Sequence, residues 1–110
     1  MHRKELLKGS TESLLLAVLE GGPHYGYQLA KEMEKRSSGY FRFKEGTLYP
    51  ALHRLEKANL LEGKWETAAS GQQRRYYHVT AQGLEALANM MDEWRSFSRA
   101  VNLVIQPELA

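Results

Sequence analysis

At 110 residues and 43% apolar content, the chain has room for one small domain with a thin core. It contains no Cys, which excludes thiol catalysis, thiolate metal sites and disulfide scaffolds, and no apolar run nears the ~20 residues of a membrane span. The net charge of +2 is unevenly divided: residues 31–78 hold ten Lys/Arg against six Glu, while residues 79–110 hold two Arg against four acids. That division suggests a middle facing a polyanion and a tail with another task.

Met1-His2-Arg3-Lys4 leads into no signal-type apolar run, so a cytoplasmic protein is expected. A first helix is expected after Gly9, with Ser10 or Thr11 capping the amides of Glu12 and Ser13. Leu14, Leu15, Val18 and Leu19 form its apolar stripe, and Gly21-Gly22-Pro23 stops it. A second helix runs from about Tyr25 to Arg36, with Leu29, Ala30 and Met33 inward. Ser37-Ser38-Gly39 breaks it, and the alternation of Tyr40-Phe41-Arg42-Phe43 predicts a short extended segment. A third helix starts near Gly46-Thr47 and reaches about Asn59, its start fixed by Pro50 in the first turn.

Two extended runs follow. Leu61, Gly63 and Trp65 share one face of the first; Arg75, Tyr77 and Val79 alternate with Arg74, Tyr76 and His78 in the second. The small, polar segment Thr67–Gln73 between them makes the pair a hairpin with a long tip. Thr80 caps a long last helix that Pro107 ends. The order of three helices, hairpin and helix predicts a mainly α fold with a small β-hairpin, a winged helix-turn-helix. Residues 1–79 would form the winged domain and residues 80–110 a dimerisation helix, as one compact unit.

With Leu48 at 0° and about 100° per residue, Leu52 and Leu55 fall within about 40° of it, and Ala51 lies about 60° away. The opposite face carries Gly46, Pro50, His53 and Lys57, flanked by Thr47, Tyr49 and Arg54, and holds no acid. Such a face suits a DNA major groove, where phosphates repel carboxylates. Arg54 would be bidentate to guanine or to phosphate, and His53 and Lys57 would touch phosphates or groove edges. The bland reading is an ordinary amphipathic surface helix with Arg54 paired to Glu56 or another acid. Gln72-Gln73-Arg74-Arg75 places amides and guanidinium groups where a hairpin end reaches backbone or minor groove.

The segment Glu45-Gly46-Thr47-Leu48-Tyr49-Pro50-Ala51-Leu52-His53-Arg54-Leu55-Glu56 resembles the recognition-helix signature of the PadR family of bacterial transcriptional regulators. Tyr25-Gly26-Tyr27-Gln28-Leu29 resembles the family's helix-2 motif, and Arg74-Arg75-Tyr76-Tyr77-His78-Val79-Thr80 with Gly83 resembles its wing-to-last-helix segment. The chain length is similar to that of the short subfamily, which has a single carboxyl-terminal helix. The resemblance implies a homodimeric repressor on a pseudo-palindromic operator of double-stranded DNA. Thr47, Tyr49, Pro50 and Arg54 inherit the DNA-facing role, and wing residues Gln73 and Arg74 that of backbone or minor-groove contacts. Tyr27 inherits either a phosphate contact or a packing role, and Tyr76 and Tyr77 are structural, one of them packing under the wing. Gln28 stands where the family favours an acid.

In the last helix, 3-4-3-4 spacing selects Leu84, Leu87, Met91, Trp94, Ser98, Val101 and Ile105. Ala88, Met90, Phe97 and Val104 widen this stripe beyond what one thin domain can cover, which predicts a dimer interface; the alternative folds the helix onto the chain's own first helix. In multidrug-binding relatives, aromatics of this helix line a pore that accepts flat hydrophobic compounds. By that resemblance Trp94, Met90, Met91 and Phe97 would hold an aromatic or phenolic effector, or else simply fill the dimer core.

An enzyme is not expected. His2, His24, His53 and His78 lie on separate elements without ligand spacing, and Asp92 is the single Asp. No glycine motif suited to phosphate follows a strand, and no cofactor is implied. The competing function is a winged helix used for protein contact, which has no reason to keep an acid-free face on its third helix.

Overall fold

Good helix formers at Arg3–Lys8 carry the first helix through Gly9, so α1 spans Arg3–Glu20 and the expected cap at Ser10 or Thr11 falls inside it. Ser13 donates its hydroxyl to the Ser10 carbonyl at 2.9 Å within the helix. The structure, a computed structural model, describes residues 3–106 and Glu108, and side chains from Ser10 onward. His2 and Pro107, the expected end of the last helix, lie outside the described residues.

The elements that follow are β1 (His24–Tyr25), α2 (Gly26–Arg36), α3 (Glu45–Lys57), β2 (Leu61–Thr67), β3 (Gln73–Val79) and α4 (Ala81–Ile105). The strands form an antiparallel sheet in the order β1-β3-β2, with Trp65 opposite Arg75 and Thr67 opposite Gln73. Strand β1 pairs His24 with Tyr77 and Tyr25 with Tyr76, and two residues are too few to show an alternation. The predicted extended segment at Tyr40–Phe43 is instead an irregular loop. Its Phe41 and Phe43 rings stack at 6.0 Å, and Phe43 packs against the core.

Helix α2 begins with the Gln28 side chain accepting from the Tyr25 amide at 3.2 Å, a contact an amide oxygen makes as well as an acid would. Helix α3 ends where Asn59 takes φ 63° and Leu60 donates to the Leu55 carbonyl at 2.9 Å. Thr80 joins that turn to α4. Its hydroxyl donates to the Asn59 carbonyl at 2.7 Å and accepts from the Gly83 amide at 3.0 Å. Gly83 lies so close to the Leu60 carbonyl and the Val79 side chain that any β-carbon there would collide with them.

The core joins Leu15, Leu16, Val18 and Leu19 of α1 to Leu29 and Met33 of α2, the keel Leu48, Ala51, Leu52 and Leu55 of α3, then Leu61, Tyr77 and Leu87. Tyr77 is thus the tyrosine packed under the wing, and its burial pushes the phenol pKa above the ordinary tyrosine value against the opposing pull of Arg75. Leu87 corrects the expected dimer seam: it is only 2% exposed and belongs to its own chain's core. Beyond it Met90 still packs against the core, and the side chains that follow on α4 are mostly exposed. The molecule measures 53 × 28 × 21 Å, and its radius of gyration of 15.4 Å exceeds the ~13 Å of a compact domain this size.

Candidate nucleic-acid interface

Helix α3 starts at Glu45, so Pro50 lies in its second turn and not the first. The ring leaves the Gly46 carbonyl without its usual i+4 amide donor. The keel predicted from the sequence is buried, and Gly46, Thr47, Pro50, His53 and Lys57 are all exposed. Glu45 falls about 60° from Leu48, on the flank of the keel, so the outward face stays free of acids.

The flanking residues are held by other elements. Tyr49 is half-exposed and lays its phenol over the bare α-carbon of Gly26, clamping α3 to the start of α2. Arg54 is paired: its Nε donates to Glu12 Oε1 of α1 at 2.8 Å. The reach toward a groove expected of Arg54 therefore starts from an ion pair, and its acid comes from 42 residues away rather than from Glu56. Glu56 pairs with Arg75, which ties the hairpin to the end of α3.

The wing residues are also engaged. Gln73 Nε2 donates to Thr67 Oγ1 at 2.8 Å across the hairpin. Arg74 donates to the Gln72 side chain, and its guanidinium lies 5.0 Å from the Tyr25 ring centroid. Tyr76 meets that same Tyr25 ring edge to face at 5.4 Å. Tyr27 is 61% exposed, which removes a core role, and Lys31 Nζ sits 5.3 Å from its ring centroid. Lys31 and Lys44 line a groove of about 300 Å³ with Tyr27 and Tyr49, between α2 and the start of α3. Lys31 is one of the outward residues of the second helix and follows Tyr27 by four residues, so the two share a helix face; Lys44 carries no such local signal.

The other apolar surface lies on α4. Leu84, Met91, Trp94, Phe97 and Ile105 are exposed and Val101 is partly so, while Met90 packs against the core. Met90, Met91, Trp94 and Phe97 line an open groove of about 860 Å³ between α1 and α4, with Leu14, Ala17 and Phe41. The rings of Trp94 and Phe97 are 5.9 Å apart. Glu12, the partner of Arg54, stands at the edge of this groove.

The chain matches the transcriptional regulator PadR-like family over residues 15–89, from the core of α1 into α4. It belongs to that family. A PadR-like transcriptional regulator from Bacillus cereus is 34% identical, with a TM-score of 0.83 over 93% of this chain and 97% of that one. A PadR family transcription regulator from Clostridium difficile is 33% identical, with a TM-score of 0.76 over 87% and 98% of the two chains. A transcriptional regulator of Mycobacterium tuberculosis is 38% identical over 63 residues, 57% of this chain and 55% of that protein. This PadR-like chain is accordingly a transcriptional regulator and not an enzyme. Among the described residues no helix is long and apolar enough to cross a membrane.

Proposed function

We propose that the protein is a DNA-binding repressor that covers a pseudo-palindromic operator as a homodimer. The observation that carries this reading is the outward face of α3, where Gly46, Thr47, Pro50, His53 and Lys57 are exposed with no carboxylate among them. Phosphates favour such a face electrostatically, and the small residues let the helix backbone come close to base edges. Tyr49 and Arg54 flank it, and Tyr27 with Lys31 supports it from α2. The wing residues Gln73 and Arg74 follow the adjacent backbone once the duplex competes for their present partners.

The exposed stripe of α4 supports the dimer, because apolar surface of this extent is costly to leave in water. Two copies joined there present two recognition helices about one DNA turn apart, ~34 Å. A flat aromatic or phenolic effector fits the groove lined by Trp94, Met90, Met91 and Phe97. It releases DNA by favouring a dimer whose recognition helices are spaced differently.

The test is binding of a fluorescein-labelled duplex across a salt series. Affinity that falls steeply and log-linearly with salt is expected, since each neutralised phosphate releases counterions. Absence of binding at low salt would overturn the reading and leave a protein-contact module.

A further inference from the structure

Trp65 has no part in the reading above, yet it is the most exposed aromatic of the hairpin, at 65%. Its cross-strand partner is Arg75, and such partners share one face of a sheet. Arg75 reaches Glu56, so that face is turned toward α3. Gly63, two residues nearer the base of the hairpin, has the Arg75 guanidinium packed over its bare α-carbon. Arg75 is therefore folded back toward the base and Glu56, away from the tip, and leaves the indole uncovered. At about 3.4 Å per residue, Trp65 stands about 14 Å beyond the buried Leu61 along β2.

We propose that Trp65 is a DNA contact, its indole packing on the deoxyribose edge of the duplex beside the groove that α3 enters. The inference rests on the DNA-binding reading above. Its immediate surroundings decide the occupant. On its own face of the sheet the indole has Arg75 across the strand and the hydrogen-bonded Thr67 and Gln73 nearer the tip, so it is one apolar ring among polar groups and not part of an apolar patch. A second copy needs a broad apolar surface, and that surface is on α4. A DNA strand, with apolar sugar faces set between polar groups, matches a single exposed ring in polar surroundings.

The test compares the full-length protein with Trp65→Ala and Trp65→Phe on a fluorescein-labelled duplex over a salt series. Tryptophan emission is recorded in parallel, and sedimentation gives the oligomeric state. Trp65→Ala is expected to bind about tenfold more weakly, the size ordinarily lost with an aromatic anchor. The slope of affinity against salt stays unchanged, because no phosphate contact is removed. Trp65→Phe keeps most of the affinity but loses the DNA-induced change in tryptophan emission. Wild-type affinity in Trp65→Ala, with the duplex still bound, would overturn the contact and leave DNA binding intact. A change of oligomeric state in Trp65→Ala would overturn it in favour of a second copy. A wild-type protein that retains no duplex would remove the DNA reading itself.

Discussion

Leu87 and Trp94 hold equivalent positions in the heptad pattern of α4, seven residues apart, and their truncation should give different phenotypes. Leu87 is enclosed by its own chain, so Leu87→Ala removes buried methyl groups and leaves a cavity, at a cost of about 3 kcal/mol. Unfolding entropy near 2.1 cal/mol/K per residue gives about 0.23 kcal/mol/K for 110 residues, so the melting temperature should fall by about 13 °C. Trp94 is 60% exposed, and Trp94→Ala should change the stability of the subunit itself by no more than about 0.5 kcal/mol. Its effect should appear between copies, as a melting temperature that drops further on dilution and a shift toward monomer in sedimentation. Far-ultraviolet circular dichroism melts over a wide concentration range separate the two. The reasoning is refuted if the Leu87→Ala loss vanishes at high concentration, or if Trp94→Ala matches the parent at every dilution.

Arg54→Ala should weaken duplex binding about tenfold while leaving the dimer intact in sedimentation; unchanged affinity would remove Arg54 from the interface. Glu12→Gln should tighten binding several-fold at low salt, because a carboxylate beside Arg54 repels the approaching phosphate by about 0.7 kcal/mol at ~6 Å in water. The gain should shrink as salt screens it, and weaker binding would mean that Glu12 orients Arg54 for DNA. Gly83→Ala should cost about 2 kcal/mol in urea unfolding, since its β-carbon meets the Leu60 backbone, which cannot swing aside. Burial raises the Tyr77 phenol pKa, so the native state holds that proton more tightly than the unfolded chain. The contribution is complete below the ordinary value of 10.0 and is lost as pH rises from there through the raised native value, and urea midpoints of Tyr77→Phe should lack that part of the alkaline decline.

Periodicity made the keel of α3 and the alternation of β2 and β3 legible in the sequence, because each depends on spacing within one element. The start of α1 is not legible locally for a physical reason: Gly9-Ser10-Thr11 has the composition of a cap, but Gly9 costs only about 1 kcal/mol inside a helix of good formers. Strand β1 exists because β3 offers it a partner, a tertiary fact absent from His24-Tyr25 itself. The same holds for Leu87 and Met91, which one heptad pattern treats alike; what separates them is where the body ends beneath α4. The acid-free face of α3 was readable. The Glu12–Arg54 pair was not, since nothing local joins residues on different helices.

The central claim is sequence-specific DNA binding by a symmetric dimer, and selection from random duplexes by the purified protein tests it most directly. The account predicts that the retained molecules share a two-fold symmetric site, its half-sites about one helical turn apart. Retention without an enriched sequence, or no retention at low salt, would contradict it.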